Sequence, residues 1–222
     1  MKNLLLISLV AILAFSCTDT SKKKYDIKSA TITYKNTMSG VETKRMVYFK
    51  DYGDTEATST DVDYMGMTGK QHTLQKEGYF YMYLESQNQG IKMKMADTVI
   101  QGQIINEQNI TKEHGKKTGT EKVLGKECTV YELGSGGEST KIWVWKKILL
   151  KVTSKQQGME SVMEATEVKE SSDFPAGTFD LPTTVVFKDL TNGKQDYQQE
   201  ENMQNPADSL NSKDFEDTTA KG

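Results

Sequence analysis

The side chain with the clearest chemistry in this 222-residue chain is the thiol of Cys17. It follows Met1-Lys2-Asn3, an apolar run from Leu4 to Phe15 and the small residue Ser16, the order of a charged n-region, an h-region and a processing site. About a dozen apolar residues cannot cross a hydrocarbon core roughly 30 Å thick, so the run reads as an export signal over residues 1–16 and not as a span. The Cys17 thiol stands directly after that processing site.

The other reactive side chains are scattered. His72 and His114 are the only histidines, and neither has a second His or Cys at metal-ligand spacing, so no metal or cofactor is expected and both read as surface residues. Ser135 in Gly134-Ser135-Gly136-Gly137 lacks the spacing of a nucleophile elbow and reads as a hairpin loop. Gly119 to Lys126 misses the phosphate-loop spacing by one place, with Glu127 where Ser or Thr is needed. Asp61-Val62-Asp63 begins like a calcium loop, but Met65 occupies a ligand position. Cys128 lies in the strand-like run Glu127-Cys128-Thr129-Val130-Tyr131 and reads as a small buried hydrophobe. Glu and Asp are spread along strands as on a solvated sheet face. The expectation is a protein without catalytic residues.

What remains is flexible and aromatic bulk. Met65, Met67, Met82, Met93, Met95, Met159 and Met163 accompany a run of tyrosines and the pair Trp143 and Trp145. Methionine adapts to apolar partners of variable shape, so a Met-lined sheet face suits a greasy ligand; in an ordinary core the same residues fill gaps. The candidate lining set is Tyr81, Met82, Met93, Met95, Trp143 and Trp145. The tryptophans, two apart, share one side of a strand and Ile142 and Val144 share the other, which leaves open the set that faces inward.

These residues sit in short runs rich in Val, Ile, Thr, Tyr and Trp, punctuated by Gly or Asn, from Ile27 to about Leu181: the pattern of an antiparallel all-β domain. Ala30, Ile32 and Tyr34 alternate with polar residues, and Val41 to Lys50 follows the turn Ser39-Gly40. Tyr79 to Leu84 is apolar on both sides. Ile91 to Met95, Thr120 to Leu133, Lys141 to Lys146, Leu149 to Lys155 and Met159 to Lys169 follow, with links short enough for a meander of sequential neighbours. Residues 96–113 break the pattern: Val99-Ile100 and Ile104-Ile105 fit a short helical lid, despite Gly102. Residues 17–26, with Lys22-Lys23-Lys24, read as a tether that is either solvated or drawn to anionic head groups. Residues 27–190 form the domain, and 191–222 are too polar to pack.

A formal charge of -3 and a pI near 5.6 argue against a nucleic-acid partner. Ala14-Phe15-Ser16-Cys17 resembles the lipobox of bacterial lipoproteins, which implies that the Cys17 thiol is acylated, the signal removed and Cys17 left as the first residue of the mature chain, with its lipid as membrane anchor and Cys128 without a disulfide partner. Thr18 is not the Asp that resembles an inner-membrane retention signal, which favours the outer membrane and, with a basic tether, its periplasmic side. Glu121-Lys122-Val123-Leu124-Gly125-Lys126-Glu127-Cys128-Thr129-Val130-Tyr131, then Lys141-Ile142-Trp143-Val144-Trp145, Leu149-Leu150-Lys151-Val152 and Phe174 to Pro182 resemble the outer-membrane lipoprotein carrier and receptor superfamily, the LolA/LolB-like proteins. The resemblance covers about residues 27–187. It implies an incompletely closed antiparallel β-barrel whose concave face, covered by short helices, houses acyl chains, and with Cys17 the chain is more like the anchored members than the soluble carrier. The expected role is an envelope protein binding an apolar ligand or acylated partner, with a filled structural core and an interaction role as the alternative.

Overall fold

The computed structural model describes residues 23–64, 67–96, 105, 107–134, 139–156 and 158–191. The export signal, Cys17, Met65, Val99, Ile100, Gly102, Ile104, Ser135-Gly136-Gly137 and the tail from 192 lie outside them. The elements are β1 (Ala30–Met38), β2 (Val41–Lys50), β3 (Thr55–Tyr64), β4 (Met67–Lys76), β5 (Tyr79–Leu84), β6 (Gln89–Lys94), α1 (Glu107–Lys112), β7 (Lys116–Val123), β8 (Lys126–Leu133), β9 (Ser139–Trp145), β10 (Ile148–Gln156), β11 (Met159–Lys169) and β12 (Val186–Asp189).

All twelve strands belong to one sheet, ordered β12-β6-β5-β4-β3-β2-β1-β11-β10-β9-β8-β7, and it is not closed into a barrel. The all-β half-barrel expected from the sequence is the architecture observed. The meander is really two, β1 to β6 and β7 to β11, fused where β1 pairs with β11 from Thr31↔Lys169 to Met38↔Ser161. Pairing is antiparallel except at one edge, where β12 lies parallel to β6. The run expected as one segment from Thr120 to Leu133 is a hairpin, turned at Leu124 and Gly125, whose positive φ values of 52° and 72° match a tight two-residue turn. The same chemistry turns β1 into β2 at Ser39-Gly40.

Alternation selects the core. Ala30, Ile32 and Tyr34 of β1 and Val47 and Phe49 of β2 are buried together with Val130, Cys128, Trp143, Ile148, Leu150 and Ala165. Phe49, Ile32, Ile148 and Leu150 are almost fully buried, each worth roughly 1.5–3 kcal/mol. Cys128 is a free, fully buried thiol, and its pKa is raised by desolvation. His72 departs from the surface reading: it lies in β4, stacked on Tyr83 with ring centroids 5.0 Å apart, and burial lowers its pKa.

Two connections follow from this order. The segment 95–115 must carry the chain from β6, beside one edge, to β7 at the other, and its described part contains Ile105 and α1, whose Ile110 is buried. Residues 170–185 return to the β12 edge, with Phe174 meeting Tyr48 edge-on at 6.5 Å and Phe179 at 5.1 Å. Tyr48 alternates with the core residues Val47 and Phe49, so this return covers the face opposite the core.

Candidate functional site

The concave side of the β1–β5 half holds a cavity of about 610 Å³. Its wall takes alternate residues from successive strands: Tyr34 and Asn36 of β1, Arg45 and Val47 of β2, Glu56, Thr58 and Thr60 of β3, Gln71, Thr73 and Gln75 of β4, and Phe80 of β5. Lys24 and Tyr25 close one side, Lys147, Ile148, Leu149 and Met163 another, and Ile105 reaches it from the lid segment. Direct pairing across the strands puts Arg45 opposite both Tyr34 and Thr60, and Thr73 opposite both Thr58 and Met82. Cross-strand partners share a face, so the wall is one continuous surface.

That surface is amphipathic, which differs from the greasy Met-lined face expected. Thr58 and Thr73 hydroxyls lie 2.7 Å apart. The Tyr34 hydroxyl donates to the Leu149 carbonyl at 3.0 Å. Glu56 accepts from the Tyr25 hydroxyl at 2.6 Å and pairs with Lys24 at 2.8 Å, with both charged side chains largely buried. Lys147 pairs with Asp26 at 2.7 Å. Arg45 forms no ion pair among the described residues, and its Nε is shielded from solvent without a hydrogen-bond partner. Desolvation raises the pKa of Tyr25 well above its ordinary value, with the Glu56 charge adding to the effect. Burial also raises that of Tyr34, against an opposing pull from Arg45.

Lys23 to Asp26, read from composition as tether, are packed on the domain. The Tyr25 ring lies 4.2 Å from that of Phe49, its N–H bonds the Tyr52 carbonyl, and the Lys23 ammonium sits 3.6 Å from the Tyr52 ring centroid.

Of the six residues proposed from sequence, Met82 and Met93 share the cavity face: Met82 alternates with Tyr81 and Tyr83 beside Phe80, Met93 pairs with Phe80, and Gln71 Nε2 reaches Met82 Sδ at 3.0 Å. Tyr81 points the other way, its ring edge-on to Phe187 at 5.4 Å. Met95 is buried just past β6, with its N–H on the Gly78 carbonyl. Trp143 is buried in the core on the other half of the sheet, and its indole N–H donates to Glu121 at 2.8 Å. Trp145 packs partly buried on the same cluster beneath Lys126 and Lys146. None of the six is among the described residues lining the cavity. Sequence reasoning missed Tyr34, Arg45, Glu56 and the Thr and Gln wall; one available signal was that Arg45 is the only arginine in the chain.

No family model and no curated protein matches the sequence. Among solved structures the chain is similar to an uncharacterized conserved protein from Thermus thermophilus, with a TM-score of 0.53 at 12% identity over 77% of this chain and 95% of that one. At that identity the likeness establishes fold alone. The complex of MucA and MucB from Pseudomonas aeruginosa gives a TM-score of 0.47 at 10% identity over 75% of this chain and 60% of that one. LprF from Mycobacterium bovis gives 0.38 at 8%, over 72% and 92%. Neither of these two is close enough in shape to bear on function.

Proposed function

We propose that this chain is an envelope protein, anchored by acyl groups on Cys17, that takes the apolar part of a lipid or of an acylated partner into its concave cavity without catalysis. The observation that carries this reading is the cavity, about 610 Å³ on the inner face of an open half-barrel. That volume lies in the range of small-molecule sites, roughly 300–1,000 Å³. Val47, Phe80, Ile105, Ile148, Leu149 and Met163 give it apolar surface, and the lid segment supplies one of them. The resemblance of residues 27–187 to the LolA/LolB-like proteins supports the same use of the fold. Outer-membrane residence on the periplasmic side belongs to this proposal and rests on Cys17 and Thr18. The one carboxylate among the described lining residues, Glu56, is already engaged by Lys24 and Tyr25, which suits a structural role better than proton transfer.

Native mass spectrometry of protein purified from membranes tests the proposal, before and after solvent extraction of non-covalent lipid. The expected result is an acyl-containing adduct that extraction removes and re-addition restores. Folded, extracted protein that takes up no lipid, and never carried any, would support the filled-core interaction protein instead.

A further inference from the structure

The cavity wall carries more positive than negative charge. Lys24, Arg45 and Lys147 contribute cations and Glu56 the single carboxylate among the described lining residues. Lys24 is taken by Glu56 and Lys147 by Asp26. Arg45 is left over. It is the only arginine among the 28 cationic Lys and Arg side chains of the sequence, and it stands mid-strand on β2 between Tyr34 and Thr60. Its Nε–H is buried with no acceptor among the described residues. A buried donor on a charged group without a partner costs on the order of 1–3 kcal/mol or more, so the site is incomplete as it stands. The neighbouring tyrosines do not complete it: the Tyr34 hydroxyl, which donates to Leu149, and that of Tyr25, which donates to Glu56, could each still accept, but neither oxygen is a partner of the Nε–H. A planar guanidinium fork is the side chain best matched to a carboxylate or phosphate, and the other groups beside it, Asn36 and Thr60, can bond any remaining anion oxygens.

Resting on the cavity reading above, we infer that the ligand is an anionic amphiphile whose carboxylate or phosphate head group is held by Arg45, with its acyl part against Val47, Phe80 and Met163. The selectivity follows from charge. A neutral chain of equal length buries the same apolar area but leaves the guanidinium unmatched, and a hydrogen bond to a charged group is worth roughly a tenfold preference or more.

The test uses the full chain in its unacylated Cys17→Ala form, delipidated, titrated by calorimetry with tetradecanoate, tetradecyl phosphate and tetradecanol. The acid or the phosphate, or both, is expected to bind at least ~10-fold more tightly than the alcohol, and whichever dominates identifies the head group. In Arg45→Gln that preference is expected to collapse to within about threefold, and Arg45→Lys, which keeps the charge but not the fork, to fall between. If Arg45→Gln does not fold, the Arg45→Lys comparison decides. Thermal unfolding gives a second readout. An unmatched arginine predicts that Arg45→Gln is no less stable than the unliganded parent, and a loss of several degrees would mark Arg45 as structural. Equal binding of charged and neutral chains by the parent would overturn the head-group inference while leaving the cavity reading standing. Failure of all three to bind folded protein would overturn both, and a preference that survives in folded Arg45→Gln would remove Arg45 from the site.

Discussion

Glu56 is held by two donors from the segment that precedes β1, Lys24 at 2.8 Å and the Tyr25 hydroxyl at 2.6 Å. Breaking a largely buried pair by removing one partner leaves an uncompensated charge, so Glu56→Ala is expected to cost on the order of 3 kcal/mol, read as a fall in the urea midpoint. A loss below about 1 kcal/mol would show the pair to be solvent-screened. The tyrosines give a pH signature. An unfolded phenol loses its proton near pH 10, whereas burial holds the protons of Tyr25 and Tyr34 to higher pH. Above that value the unfolded chain sheds protons that the folded one keeps, so their contribution is complete below about pH 10 and is lost as pH rises through the raised folded values. Denaturation curves should show stability declining from about pH 10 upward, with a shallower decline in Tyr25→Phe. Of the ten tyrosines, some should resist ionisation in the folded state by ultraviolet titration and none in urea. Tyrosines that all titrate alike in both states would contradict the burial argument.

The turn between β2 and β3 sets the position of that preceding segment. Tyr52 and Gly53 have φ of 62° and 90°, and a Cβ on Gly53 would meet the Tyr25 ring at 2.7 Å and Lys24 Cβ at 2.8 Å. Gly53→Ala combines left-handed strain with a clash against two cavity-lining residues and should cost roughly 2 kcal/mol while weakening ligand uptake. Unchanged stability and uptake would show that residues 23–26 do not brace the site. Elements such as β1, β2 and β5 were legible because one or both faces are apolar, and the Gly-containing turns fixed their hairpins. Strands β3 and β4 were not. Glu56, Thr58 and Thr60 with Gln71, Thr73 and Gln75 put polar residues on the inner face, so the alternation that marks a half-buried strand is missing where the cavity lies. The site hid for the same reason: Met and Trp were conspicuous in composition, but Trp143 serves the core, and the described cavity wall mixes Thr, Gln, Tyr and Arg45 with scattered apolar residues. The β1–β11 junction joins residues more than 100 apart, a pairing that local pattern does not encode.

As a whole, the molecule is two meanders fused into one open sheet, with the β6–β7 connection linking them and contributing Ile105 to the cavity wall. The proposed anchor acts at this scale. Buried acyl chains contribute about 0.8 kcal/mol per methylene and several act together, so the parent should sediment with membranes and Cys17→Ala should be released as soluble protein. Equal membrane retention of an exported Cys17→Ala form would remove Cys17 as the anchor. The central claim, that the concave cavity takes up an amphiphile, is tested most directly by methyl NMR with labelled methionines on delipidated full-length Cys17→Ala protein. Met163 lines the cavity and Met82 shares its face, whereas Met38 and Met159 are exposed at hairpin tips. During titration with tetradecanoate the Met163 and Met82 methyl signals should shift saturably while those of Met38 and Met159 stay still. Signals of Met163 and Met82 that do not move in folded protein, or all four moving together, would contradict uptake into this cavity.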